Sequence, residues 1–124
     1  MNTLTILRRD MTVEPGETAG SFRAAFTPPA DFPPFAGHFP GKPVLPGVAQ
    51  TLIVTEALRK FSGQHAELAE IRRIKFTNPA FPEVQLSIQA DCRPAKDGLE
   101  VSAAISGNGK KIATLKLLFR GVTL

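Results

Sequence analysis

The sequence predicts an α+β fold, an antiparallel sheet of about five to six strands wrapped around one long central helix. Three observations carry that expectation. The second half alternates apolar and polar residues with a period of two. A stretch over 47–61 has no proline and no internal glycine after its first residue, and its apolar positions cover most of a helical wheel. Between the early strands and that helix, seven prolines fall within nineteen residues, Pro28 to Pro46, and forbid both regular helix and central strand.

In chain order, 4–8 and 20–26 read as two short strands separated by a turn at Glu14, Pro15 and Gly16. The proline segment that follows is a shaped loop. Irregular segments of that length inside a compact domain are usually functional, so the loop is the first place to look for a site. Val48, Ala49, Leu52, Ile53, Val54, Ala57, Leu58 and Phe61 make the next element a largely buried helix. Arg59 and Lys60 sit at the negative end of its dipole, and Gly63 stops it. Residues 71–77 form a further strand that leads out through Asn78-Pro79. Val84, Leu86, Ile88, Ala90 and Cys92 then alternate with polar neighbours, and the pattern repeats at Leu99 to Ile105 and at Ala113 to Phe119. The turns between these runs are Lys96-Asp97-Gly98 and Gly107-Asn108-Gly109, which makes them an antiparallel meander.

Length and composition bound the rest. With 124 residues, 43% hydrophobic and 21% charged, the chain is read as a single domain, 1–124. A lone helix cannot seal both faces and edges of such a sheet, so dimerisation is expected. No apolar run approaches the roughly 20 residues that cross a bilayer, and Arg8, Arg9 and Asp10 spoil a signal-peptide layout, so a cytoplasmic location without membrane association is expected. Cys92 is the single cysteine, which excludes an internal disulfide. With only His38 and His65 besides, it forms no metal-ligand cluster, so no metal is expected. The net charge of +4 suits an acidic partner but is too dispersed to argue for nucleic acid, and Trp and Tyr are absent.

Chemistry concentrates in Gly37-His38-Phe39-Pro40-Gly41-Lys42-Pro43-Val44-Leu45-Pro46-Gly47-Val48. The prolines fix the loop's path, and the glycines let backbone approach a ligand closely. Pro46 stands at the helix entry. Gly47 and its successors carry the first helical amides, at the positive end of the dipole, which is an oxyanion site in waiting. An isolated histidine in a loop is more often structural than catalytic, so the loop's setting has to decide.

These twelve positions resemble the active-site segment of the hotdog-fold β-hydroxyacyl-acyl-carrier-protein dehydratases of fatty acid synthesis, whose hallmark is a Gly-His-Phe-Pro-Gly loop followed by Pro-Gly at the helix start. Phe35 before the motif and the strand and turn over 71–82 are similar as well, so the resemblance spans nearly the whole chain. It implies dehydration of a (3R)-3-hydroxyacyl thioester to the trans-2-enoyl thioester, with no cofactor. His38 is then the base that takes a C2 proton, imidazole being the side chain that titrates near neutrality. The Gly47 amide polarises the thioester carbonyl. Phe39, Pro40, Gly41, Val48, Gln50 and Leu52 are implied to bind substrate, with the acyl chain in a tunnel along the helix at the interface of two protomers.

One departure from the family is explicit. Its second catalytic residue is a Glu or Asp fourteen positions after the histidine, where this chain has Leu52. Glu56, four residues on, is the nearest substitute, a candidate acid on about the same helical face. The alternative is that Thr55, Glu56, Arg59 and Lys60 form a solvated stripe with a Glu56–Lys60 pair. Gln50 and Thr51 flank Leu52 and can orient water or a thioester, but neither is an acid.

Three functions are weighed, and the retained loop favours the first: a dehydratase with an unusual second group, with a hotdog acyl thioesterase or a catalytically weak acyl-binding subunit paired with a paralogue as the alternatives. The Val48-Ala49-Gln50 run is also similar to dehydratase-like chains of specialised polyene or fatty acid assembly. The expected partner is an acyl carrier protein or coenzyme A thioester, with a homodimer, a higher oligomer or a heterodimer as the assembly. Lys42, Arg72, Arg73 and Lys75, with Arg93 and Lys96, are candidate docking cations for an acidic carrier; solvated strand faces are basic by default as well. His65 is read as a surface-loop residue and Cys92 as an inert core thiol.

Overall fold

The computed structural model describes residues 1–38 and 41–124. Its elements are α1 (Thr3–Asp10), β1 (Thr12–Pro15), β2 (Ser21–Phe26), a single 3-10 turn (Pro33–Phe35), α2 (Gly47–Ser62), β3 (Glu67–Phe76), β4 (Leu86–Ala95), β5 (Gly98–Gly107) and β6 (Lys110–Arg120). All strand pairs are antiparallel, in one six-stranded sheet of order β1-β2-β4-β5-β6-β3. The α+β expectation holds, with sixteen-residue α2 as the buried helix and a second, shorter helix beside it. No helix among the described residues is long and apolar enough to cross a membrane.

The N-terminal segment corrects the sequence reading: residues 4–8 belong to a helix, not a strand. The Asn2 side chain accepts a hydrogen bond from the Thr5 amide at 2.8 Å and caps the first turn, while Arg8 and Arg9 occupy the last. Ile6 and Leu7 are adjacent in sequence and both buried, which a half-buried strand cannot achieve. The first strand lies later, at Thr12–Pro15.

The meander forms as its alternation requires. Leu86, Ile88 and Ala90 of β4 face the core with Leu99, Val101, Ala103 and Ile105 of β5 and Leu115, Leu117 and Phe119 of β6. From β2, Phe22, Ala24 and Phe26 complete the inner face. Against it α2 buries Ala49, Ile53, Val54, Ala57 and Leu58, and the Phe22 and Phe61 rings stack at 4.8 Å. Each fully buried Phe, Leu or Ile is worth about 1.5–3 kcal/mol over an exposed one.

Two backbone details shape the sheet. Helix α2 ends at Gly63, whose φ of 68° is left-handed and whose amide donates to the Arg59 carbonyl. At the β4–β5 turn Gly98 has φ 152°, and a Cβ there would lie 2.2 Å from the Phe119 carbonyl oxygen. Because the obstacle is backbone, Gly98→Ala is expected to lower the unfolding free energy by about 1–3 kcal/mol, read as a lower urea midpoint at unchanged slope.

Strand β3 sits at the sheet's edge, paired to β6 on one side. It is almost wholly exposed, and Leu68, Ile71 and Phe76 are among the exposed large apolar side chains. At its far end a bulge between Ile105 and Ser106 leaves Ile112 outside the β5–β6 pairing. The Ile112 carbonyl then accepts from the Thr77 and Asn78 amides at 2.8 and 3.3 Å, and Asn78 Nδ2 donates to the Lys111 carbonyl at 2.7 Å. The bulge thereby fixes the segment after β3 that walls the cavity described next.

Candidate active site

The proline loop is held from below by aromatic anchors. Phe32 and Phe35 are buried, and the Phe26–Phe32 and Phe32–Phe35 rings meet edge to face at 5.2 and 6.1 Å. The 3-10 turn leads into His38, whose amide donates to the Phe35 carbonyl at 3.1 Å, and Gly37 turns the chain with φ 73°. On the far side buried Leu45 donates its amide to the Ala80 carbonyl at 2.8 Å, which staples the loop to the segment after β3. The short anchoring bonds, not regular structure, fix where His38 stands.

His38 lines a cavity of about 290 Å³ together with Pro46, Gly47 and Gln50 from the helix entry and Phe76, Thr77 and Asn78 from the segment fixed by the bulge. Pro46 is the N-cap of α2 and provides no side-chain cap. The Gly47 amide is therefore one of the helix-start donors that lack an intrahelical acceptor, and it opens beside the imidazole's cavity. A Cβ at that position would come within 2.6 Å of Phe76 Cζ, so the half-exposed ring, which walls the cavity, would have to swing aside. A larger hollow of about 490 Å³ lies over β1, β2, β4 and β5, lined by Thr12, Arg23, Ser87 and Gln89, and its lining has neither histidine nor cysteine. Concave space is greater there, but chemistry is not.

Of the candidate site residues, the structure brings together His38, Gly47 and Gln50. It does not add the others. Val48 is 77% exposed and does not line the cavity. Leu52 is half-buried against the core, and Gly41 is exposed with a left-handed φ of 83°. Phe39 and Pro40 lie outside the described residues. Phe76, Thr77 and Asn78 are cavity walls that the sequence reading misses, because the contact that fixes them lies on β6.

Glu56 stands elsewhere than either sequence reading has it. Its side chain is 3% exposed, not solvated, and it does not pair with Lys60. Arg8 Nε donates to Oε1 at 2.8 Å and Arg59 Nη1 to Oε2 at 3.4 Å, while Lys60 Nζ donates to the Arg8 and Met11 carbonyls at 3.0 and 2.6 Å. Both carboxylate oxygens are thus engaged, Oε1 fastening α1 to α2 and Oε2 pairing within α2. Glu56 lines a separate hollow with Leu7, Arg8 and exposed His65, so within one chain it does not share the His38 cavity. The α1 helix, unforeseen in the sequence, is what claims this carboxylate.

Of the candidate docking cations, Lys42, Arg73 and Lys75 are exposed. Arg72 is engaged: its Nη1 donates to Glu100 at 2.7 Å, and its Nε lies 3.5 Å from Glu70. Cys92 is half-buried, and burial, reinforced by the Asp91 charge, pushes its thiol up to about 11. At neutral pH it is protonated and a poor nucleophile.

Comparison with known proteins agrees with this geometry. Residues 14–116 match the ApeI-like family, described as ApeI dehydratase. A 3-hydroxyacyl-[acyl-carrier-protein] dehydratase FabZ from Latilactobacillus sakei subsp. sakei is 33% identical, over 94% of this chain and 86% of its own length. The FabZ of Pelotomaculum thermopropionicum is 30% identical, over 87% of this chain and 80% of its own length. Among solved structures, a chain of the dehydratase heterocomplex ApeI:P from Xenorhabdus doucetiae superposes with a TM-score of 0.75 at 20% identity, covering 88% of this chain and 94% of that one. A matching family, relatives covered over most of their length and a hotdog fold in which a histidine and a helix start line one cavity lead to one conclusion: the chain belongs to the ApeI-like dehydratases of the hotdog superfamily.

Proposed function

We propose that this protein removes water from (3R)-3-hydroxyacyl thioesters presented on an acyl carrier protein, giving trans-2-enoyl thioesters for fatty acid or polyene assembly. The observation that carries this reading is that His38 and the free-ended start of α2 at Gly47 line one cavity. The thioester oxygen accepts from the Gly47 amide, so negative charge developing on it as C2 loses a proton is stabilised. His38 takes that proton. The C3–O bond then breaks, and the departing hydroxyl needs a proton to leave as water.

No carboxylate lines the cavity among the described residues, and Leu52 stands where the family's acid would be. The imidazolium formed in the first half-step is the proton source at hand: His38 returns the proton it took, and water is the product. Base and acid roles fall to one ring, in sequence, without Glu56.

The test is hydration, the same reaction run backward. Purified protein mixed with a trans-2-enoyl thioester should remove the conjugated chromophore without releasing free thiol. Thiol release without hydration would instead mark an acyl thioesterase. The Leu52 substitution also favours a second reading, in which a related dehydratase chain supplies the missing carboxylate. In that case hydration appears only after such a chain is added.

The same proposal includes a homodimer built on β3. That strand leaves one edge unpaired and carries exposed Ile71 at its middle, an arrangement that templates pairing with another strand. Pairing two copies of β3 joins two six-stranded sheets into one. Ile71→Lys is expected to shift the sedimentation coefficient from dimer to monomer at micromolar concentration; an unchanged dimer would move the interface off this edge. Lys42, Arg73 and Lys75 then serve as the exposed cations that attract an acidic carrier.

A further inference from the structure

We propose that Gln50 is the residue that recognises the 3-hydroxyl group of the substrate, its side-chain carbonyl accepting a hydrogen bond from that O–H. The inference rests on the dehydratase reading and deepens it. Gln50 is 3% exposed, and its Oε1 is buried without a hydrogen-bond partner among the described residues. Buried polar atoms are nearly always paired, and one without a partner on a residue that lines a cavity calls for a partner from outside the chain. The cavity is the one that holds His38.

Helix geometry assigns the partner. Gln50 follows Gly47 by three positions, so both face the same side of α2, with Gln50 one turn deeper. Three residues advance about 4.5 Å along the axis, which suits the separation between a thioester oxygen held at the first turn and a hydroxyl two carbons along the acyl chain. The macromolecular carrier stays outside, so its tether occupies the mouth and the acyl part lies inward, beside the buried amide. An acceptor requires a donor, and the donor on that part of the substrate is the 3-hydroxyl. An amide has no proton to give at neutral pH. Gln50 therefore orients the C3–O bond and selects hydroxylated chains, and the proton transfers stay with His38.

A site built to bond a hydroxyl disfavours the analogue that lacks it, because the buried acceptor is then left unpaired. The probes are two pantetheine analogues with an amide in place of the thioester, one 3-hydroxybutyryl and one butyryl; neither turns over readily. Their dissociation constants are measured by calorimetry. The native protein should bind the hydroxylated analogue about tenfold or more tighter. Gln50→Met, close in size but without the acceptor, should bring the two within about twofold, chiefly by weakening the hydroxylated one, while Gln50→Glu keeps the preference.

The proposal is overturned if the native protein shows no preference, which needs no variant, or if the preference survives in Gln50→Met. It is overturned equally if Gln50→Met weakens both analogues alike, since the amide would then be reading the tether. These failures leave the dehydratase reading standing wherever the native protein still hydrates enoyl thioesters. If the native protein binds neither analogue and hydrates nothing, the reading and the inference fall together.

Discussion

His38→Ala should reduce enoyl-thioester hydration by about 10³-fold or more, roughly 4 kcal/mol of barrier, with little change in the melting temperature. The size follows from the proposed division of labour. One imidazole both removes the C2 proton and delivers it to the departing oxygen, so its loss deletes two proton transfers that no other group lining the cavity among the described residues replaces. What remains is the Gly47 amide and the helix start, which stabilise the enolate but move no proton. Stability should hold because His38 lies in the loop, outside helix and strand, and is only partly buried. Binding of a non-reactive acyl analogue should also persist, so the defect appears in kcat with KM nearly constant. A His38→Ala protein that retains a tenth of native activity would show that the proton moves through some other group, and the single-ring mechanism would have to be abandoned. A protein that no longer binds the analogue would instead give His38 a part in building the loop.

The loop and the helix entry were legible from the residues themselves, because clustered prolines and glycines forbid regular structure ahead of an apolar helix. That His38 belongs to a site rested on the resemblance of residues 37–48 to the dehydratases' active-site segment, and the structure has His38, Gly47 and Gln50 lining one cavity. The meander was legible for a similar reason: a period of two survives only in a strand with one buried face. What escaped depends on contacts between distant segments. Residues 4–8 contain β-branched and apolar side chains that suit a strand as well as a helix; the cap at Asn2 and the ion pair from Arg8 to Glu56, forty-eight positions away, tip the balance. The cavity wall at Phe76 to Asn78 depends on a bulge at Ile112, and no local pattern around 76–78 encodes a carbonyl left open on another strand. Glu56 was ambiguous on the same ground, since its partner lies on a helix that had not been foreseen.

Glu56→Gln is expected to cost about 2 kcal/mol of folding stability and Glu56→Ala about 3 kcal/mol, the range for hydrogen bonds to charged groups, with catalysis per folded molecule almost unchanged. The carboxylate is buried, 3% exposed, whereas its partners Arg8 and Arg59 are 59% and 21% exposed. Removing the anion therefore leaves two guanidiniums that can still reach water, and the loss stays at or below the lower end of the 3–5 kcal/mol seen when a fully enclosed charge is stranded. Arg8 is the only link in this group that comes from α1, so Arg8→Ala should reproduce part of the destabilisation, and the double variant Arg8→Ala with Glu56→Gln should cost less than the two single costs added together. Urea unfolding of the four proteins measures the coupling directly. Hydration by Glu56→Gln, corrected for the folded fraction, should stay within about threefold of native, under 1 kcal/mol of barrier. A hundredfold loss of activity in a protein of native stability would reverse the assignment: the carboxylate would then be working on substrate, and because it does not share the His38 cavity of its own chain, it would have to do so in the cavity of a neighbouring one.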